Sequence, residues 1–151
     1  MKIHFICRGN ILRSVIAETY LRSLKLESVN AISSGTNVNW EDLTEKEYFS
    51  NSMRLLDRHG IKAYAKTIPE QLTPQRINGS DVVICMNQRV VDEARILVDL
   101  PQGAINWDIT DIGEAHRTIP DNREQYEEEI YNEITNKVDN LVKQLDLGTE
   151  K

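Results

Sequence analysis

Two cysteines among 151 residues cannot make a disulfide framework. None is needed, because a chain of this length buries about 70% of the surface its unfolded form exposes. Basic residues are in the minority, with 18 Lys+Arg against 24 Asp+Glu and a formal net charge of −6; a nucleic-acid binder would carry the opposite sign. No apolar run approaches the roughly 20 residues of a membrane span. The opening stretch from Met1 to Cys7 is too short for a signal peptide, and Arg8 breaks it at once. There is no internal repeat, low-complexity stretch or linker. These absences lead us to expect one cytoplasmic domain over residues 1–151, with reduced thiols and neither nucleic acid nor membrane as partner. Each cysteine must then be explained singly.

What is present alternates between short β-rich runs and helical stretches, the pattern of a parallel sheet wrapped by helices. Lys2 to Cys7 reads as a strand, unbroken until Arg8-Gly9-Asn10. Val15, Ile16, Thr19, Tyr20 and Leu24 then recur near every 3.6 residues, with Ser14 as the expected N-cap. Ala31 to Ser33 forms a short strand closed by Ser34-Gly35-Thr36, and residues 42–59 form a helix stopped by His59-Gly60. Asp81 to Met86 is apolar on both faces and should be central. A helix over Gln88 to Val98, a strand over Ala104 to Trp107 and a long helix from Pro120 onward complete the order. In that helix, Glu124 and Glu127 to Glu129 are expected to form a solvated acidic face. The predicted fold is α/β, a four-stranded parallel sheet with helices on both faces. Any site belongs at the carboxyl ends of its strands.

That placement points to Cys7-Arg8-Gly9-Asn10-Ile11-Leu12-Arg13-Ser14, a loop between the first strand and first helix. Such a loop can turn successive N–H groups around one anion, aided by the helix N-terminus. Gly9 and Asn10 are residue types that tolerate the left-handed conformations a ring requires. Arg13 offers a planar fork to two phosphate oxygens. A thiol at the centre is driven toward thiolate and becomes a nucleophile for phosphoryl transfer.

Cys7-x-Gly9-Asn10-Ile11-x-Arg13-Ser14 resembles the phosphate loop of the low-molecular-weight protein-tyrosine phosphatases, C-x-G-N-x-C-R-S-P near the N-terminus. Ser33-Ser34-Gly35-Thr36, His59-Gly60-Ile61 and Asp81-Val82-Val83-Ile84-Cys85-Met86 are similar to further motifs of that family, so the resemblance runs from about residue 2 to residue 145. It implies hydrolysis of phosphotyrosine on a protein or peptide through a phosphocysteine on Cys7, without metal or cofactor. Arg13 and the N–H groups of residues 8–13 would hold the equatorial oxygens. Ser14 would stabilise the sulfur. Asn10 would brace the loop, with Ser33 as its side-chain partner. The general acid falls on Asp111 of Trp107-Asp108-Ile109-Thr110-Asp111, with Asp108 the alternative. Trp40 is expected to wall the substrate ring. Ile11 favours phosphotyrosine, since relatives acting on phosphoarginine carry a small hydroxyl residue there.

The chain departs from the family in several places. Leu12 replaces a second loop cysteine, so Cys7 should oxidise past the sulfenic stage without a vicinal disulfide. Val15 replaces a proline, which should soften the loop. Ile112 replaces the proline after the acid, and Gly113-Glu114-Ala115-His116 stands where the family has tyrosines. Ala65 falls where some members place a histidine that buttresses the loop asparagine. These departures leave open a catalytically weak member that binds phosphate or another oxyanion, a phosphoarginine phosphatase, or an arsenate reductase. The last would need two further cysteines, and only Cys85, expected to be an inert core thiol, is left over. His4, His59 and His116 are not spaced as a metal site, and His59 is expected to favour the helix dipole. His116 would at most touch a substrate at the rim.

Overall fold

The computed structural model describes residues 1–109 and 123–147. Four parallel strands, β1 (Lys2–Cys7), β2 (Asn30–Gly35), β3 (Val82–Cys85) and β4 (Ile105–Asn106), form one sheet in the order β2-β1-β3-β4. The connections are α1 (Arg13–Ser23), α2 (Leu43–Arg58) with a 3-10 turn at Lys62–Tyr64 and the short α3 (Pro74–Ile77), and α4 (Gln88–Leu97). The last helix, α5, is described over Arg123–Gln144.

Alternation along β1 divides the core in two. Ile3, Phe5 and Cys7 face a cluster built with α1, α2 and α5, including Ile16, Leu55 and Ile134. Ile6, Val83 and Cys85 face Leu72 and the α4 residues Val90, Val91 and Ala94. Each fully buried large side chain of this kind, such as Phe5 or Ile134, contributes about 1.5–3 kcal/mol over its exposed state. Because the chain leaves β1 for β2 on one side and reaches β3 on the other, the sheet reverses its order beside β1. The crevice of a doubly wound sheet lies at such a point, and Cys7 stands at its floor.

Several ends differ from the sequence reading. β2 reaches from Asn30 to Gly35 because β1 pairs with it residue for residue, Lys2 with Asn30 through Cys7 with Gly35. β4 shrinks to two residues because it pairs β3 only at Ile84↔Ile105 and Cys85↔Asn106. The helix α3 is too short for periodicity to reveal, although Thr73 caps it and Pro74 opens it. Ser14 is not an N-cap: α1 begins at Arg13 with no side-chain cap, and the Ser14 hydroxyl is turned to Cys7. His59 does more than face a helix dipole. Its ring stacks on Tyr131 at 3.7 Å and meets Glu128 at 2.7 Å, clasping α2 to α5. Among the described residues no helix is long and apolar enough to cross a membrane.

Candidate active site

Cys7 is 2% exposed, and two groups of the succeeding loop reach its sulfur. The Asn10 backbone N–H donates to Sγ at 3.2 Å, and Ser14 Oγ lies 2.9 Å away. Asn10 takes the left-handed conformation, with φ of 55°. Gly9 does not. One left-handed step closes the loop, and the missing side chain at Gly9 serves instead to admit the Glu45 carboxylate, whose Oε1 would stand 3.1 Å from a Cβ there. Gly35 is required more strictly. A Cβ on it would meet the Arg8 carbonyl oxygen at 2.7 Å and the Asn10 nitrogen at 2.9 Å, both backbone atoms of the loop.

Behind the loop stands a buried polar brace. Asn10 Nδ2 donates to Ser14 Oγ at 2.8 Å and to Ser33 Oγ at 2.9 Å, the partner expected from sequence. Ser33 in turn donates to Glu18, which pairs with Arg22 at 2.7 Å. The far side of Asn10 is held by a residue that sequence reasoning misses. Lys66 Nζ donates to Asn10 Oδ1 at 2.6 Å and to the Ser33 carbonyl at 2.9 Å, and pairs with Glu70 at 3.0 Å. Ala65, where the family's histidine would fall, only packs against the core. The neighbouring lysine supplies the buttress. Burial pushes the Lys66 ammonium below its ordinary pKa, opposed by Glu18 and Glu70. Burial pushes the Glu70 carboxyl up, but Lys66 and Arg76 outweigh it and hold it low.

Arg13 is 4% exposed, and its Nη1 donates to the Ile109 carbonyl at 3.1 Å. Asn87 Nδ2 donates to the same oxygen at 3.2 Å, so the segment after β4 orients the guanidinium. Arg8 turns away to α4, where its Nε meets Glu93 Oε2 at 3.1 Å. Thr36 Oγ1 donates to the other Glu93 oxygen at 2.5 Å, which ties the phosphate loop, the end of β2 and α4 together. Burial pushes the Glu93 carboxyl up, but these bonds and the nearby arginines hold it below the usual range.

Cys7, Ile11, Leu12 and Arg13 open into a cleft of about 230 Å³. Its further walls are Tyr48 of α2 and Tyr126 and Ile130 of α5, with Glu45, Asn37 and Arg123 at its sides. Arg123 lies 3.9 Å over the Tyr48 ring and pairs with Glu127 at 3.0 Å. Trp40, expected as the ring wall, is not among the described residues that line this cleft. It packs edge-on against Phe49, 5.4 Å between centroids, because the start of α2 turns Tyr48 rather than Trp40 inward. Asp108 is exposed, with φ of 58°, and its N–H donates to Asn106 Oδ1 at 2.7 Å. It too is not among the described lining residues. Asp111, Ile112 and His116 lie outside the described residues. Cys85 is fully buried on the other face of the sheet, where burial pushes its thiol up to about 12. Among the described residues no cluster of His, Cys, Asp and Glu could hold a metal ion.

Solved structures share this fold along nearly the whole chain. A thioredoxin-dependent arsenate reductase of Corynebacterium glutamicum is 23% identical over 96% of the chain, with a TM-score of 0.66; the chain spans 61% of that protein's length. Wzb of Vibrio vulnificus, in complex with benzylphosphonate, is 16% identical over 95% of this chain and 97% of its own, with a TM-score of 0.72. The YwlE arginine phosphatase of Geobacillus stearothermophilus is 19% identical over 96% of this chain and 92% of its own, with a TM-score of 0.66. No curated protein matches the sequence. At these identities the solved structures establish the fold alone. The model for low molecular weight phosphotyrosine protein phosphatases, however, matches residues 2–150, and the chain belongs to that family of cysteine-based phosphatases.

Proposed function

We propose that the protein hydrolyses phosphotyrosine, or a similar aryl phosphate, on a protein or peptide. The observation that carries this reading is the meeting of the Asn10 N–H and the Ser14 hydroxyl on Cys7 Sγ at the floor of a cleft walled by Tyr48 and Tyr126. Cys7 attacks phosphorus, the S–P bond forms and the P–O bond to the phenol breaks. Arg13 and the loop N–H groups of residues 8–13, apart from that of Asn10, which faces the sulfur, hold the equatorial oxygens as charge spreads over them. Asp111 protonates the departing phenolate, then takes a proton from the water that cleaves the phosphocysteine. An aromatic wall suits an aryl ester through stacking, and Ile11, an apolar loop residue in the same cleft, fits a ring better than a cation. A free thiol nucleophile also fits the reducing cytoplasm.

One observation favours a second reading. The Glu45 carboxylate lines the cleft beside the phosphate loop, where it could pair with the guanidinium of a phosphoarginine. Arsenate reduction is disfavoured, since Cys85 is buried on the opposite face from Cys7.

The test is turnover of p-nitrophenyl phosphate, a phosphotyrosine peptide and phosphoarginine by wild type, Cys7→Ser, Asp111→Ala and Asp108→Ala. Expected are preference for the two aryl esters, no turnover by Cys7→Ser, and loss of leaving-group assistance in Asp111→Ala. Preference for phosphoarginine would support the second reading. Turnover that survives Cys7→Ser would sink both, and phosphate binding without turnover in wild type would leave a binding protein. A defect in Asp108→Ala with Asp111→Ala intact would move the acid.

A further inference from the structure

We propose that a groove leading from the Cys7 cleft along α2 and α5 reads an acidic side chain of the substrate, about three residues from the phosphotyrosine, through Arg54. The inference rests on the proposed hydrolysis of phosphotyrosine peptides and adds a sequence preference to it.

The cleft does not end at its aromatic wall. Arg123 of α5 lines it, and also lines a second hollow of about 140 Å³ with Asn51, Arg54 and Arg58 of α2 and Glu124 and Glu127 of α5. On α2 the passage runs from Tyr48 to Asn51, since residues three apart lie on one helical face. A phosphotyrosine seated against Tyr48 and Tyr126 therefore leaves its neighbours, on one side, a path past Arg123.

The arginines along that path differ in their partners. Arg123 meets Glu127 at 3.0 Å and lies over the Tyr48 ring. Arg58 meets Glu124 and Glu128, each at 3.2 Å. Arg54 is exposed, and its partner among the described residues is a neutral one, the Asn51 amide oxygen, to which Nη2 donates. Asn51 orients the guanidinium without neutralising it, and a carboxylate suits the planar fork so presented. Against a net charge of −6, an acidic side chain is favoured there and not over the surface at large.

The spacing follows from the helix. Arg54 lies six positions after Tyr48, a rise of about 9 Å along the axis. An extended peptide covers that distance in about three residues, at roughly 3.3 Å each.

The test is kcat/KM on phosphotyrosine peptides in which a single glutamate moves through an alanine background on either side of the phosphotyrosine. The control is p-nitrophenyl phosphate, which has no flanking residues. Wild type should favour the best glutamate position over alanine by about 2- to 5-fold, and by less at high salt. Arg54→Glu should abolish or reverse that preference, and Arg54→Lys should keep most of it. Neither should alter turnover of p-nitrophenyl phosphate. No preference for glutamate, a peak directly beside the phosphotyrosine, or a preference that Arg54→Glu leaves intact would overturn the inference. With p-nitrophenyl phosphate still turned over, the phosphatase reading would stand. Should wild type hydrolyse no ester, the same ranking is read from binding of these peptides by fluorescence anisotropy, where no binding at all would overturn both.

Discussion

β1 and β3 lie side by side, parallel and in register from Ile3↔Val82 to Ile6↔Cys85, and each ends on a cysteine. The two thiols nevertheless sit in opposite worlds. Cys7 accepts from the Asn10 N–H and meets the Ser14 hydroxyl at the floor of a cleft. Cys85 packs among Ile6, Leu72, Val83 and Val90, and burial pushes its thiol up to about 12. The strands themselves do not make this difference; the segments that leave them do. After Cys7 the chain makes a left-handed step at Asn10 and curls its backbone around the sulfur. After Cys85 it runs almost directly into α4, with Asn87 Oδ1 accepting from the Val90 N–H as a cap. A strand end offers a place, and the loop decides whether chemistry happens there.

The largest expected effect is the plainest break in the pair. Cys7→Ser should lose turnover by many orders of magnitude, as removal of a nucleophile does. Cys85→Ser should keep kcat/KM within a few-fold while losing about 1–3 kcal/mol of stability, because a hydroxyl replaces a thiol in an apolar pocket. Steady-state kinetics with urea unfolding on both variants reads the two outcomes together. A Cys85→Ser enzyme as dead as Cys7→Ser would erase the distinction.

Next in size is the support that β2 gives the Cys7 loop. Gly35→Ala would drive a methyl into the Arg8 carbonyl and the Asn10 nitrogen, so the loop must shift, and kcat/KM should fall on the order of 10²-fold. Gly103→Ala is the control, since its Cβ meets nothing within 4 Å. Equal activity in the two variants would show that the loop does not depend on close approach to β2.

These features differ in how far the sequence reveals them. β1, the loop and α1 are legible because period-2 and period-3.6 patterns meet at a run of turn residues with a cysteine on one side and an arginine on the other. Ser33 as the partner of Asn10 is legible only through resemblance, and the structure bears it out. Lys66 is not legible at all. It lies in an irregular segment, and its role arises from α1, the end of β1 and β2 meeting it in space; the only local hint is Glu70 at i+4. Tyr48 and Trp40 are likewise indistinguishable in sequence, both aromatic and near the start of α2. Which one faces the cleft depends on how the helix is rotated about its axis, a property of tertiary packing.

A smaller effect separates the strands by pH. His4 of β1 stands opposite Val83 of β3 and is fully buried, with Nε2 2.8 Å from Ser34 Oγ. Burial first, then the charges of Arg76, Lys2 and Lys66, lower its pKa from 6.5 to about 3. As pH falls below 6.5 the unfolded chain gains a proton that the folded chain refuses. Stability present above that pH is therefore lost toward 3, by up to about 1.4 kcal/mol per pH unit. The carboxyls of Glu70, Glu93 and Glu128, held below their ordinary 4.5, add their loss only further down, as pH falls past that value. Urea midpoints at about pH 7 and about pH 5.5 should differ in wild type and converge in His4→Gln. An unchanged slope in that variant would assign the acid sensitivity elsewhere.

The smallest expected effect is an absence. Leu12 removes the family's second loop cysteine, which leaves Cys85 as the only thiol that could shelter Cys7. The register forbids it. Cys85 stands opposite Ile6, and successive strand residues point to opposite faces, so Cys7 belongs to the α1/α5 cluster and Cys85 to the α4 cluster. A disulfide needs its two Cβ atoms about 3.8 Å apart and turned toward each other, which here would require the sheet to come apart. Peroxide should therefore carry Cys7 through sulfenic to sulfinic acid, with irreversible loss of activity, while Cys85 stays a thiol that labels only after unfolding. Leu12→Cys should convert that loss into one reversed by a thiol reductant, because it puts a second sulfur on the same loop. Peptide mapping that found Cys7 linked to Cys85 in the folded protein would mean that the two strand ends are not separated by the sheet at all.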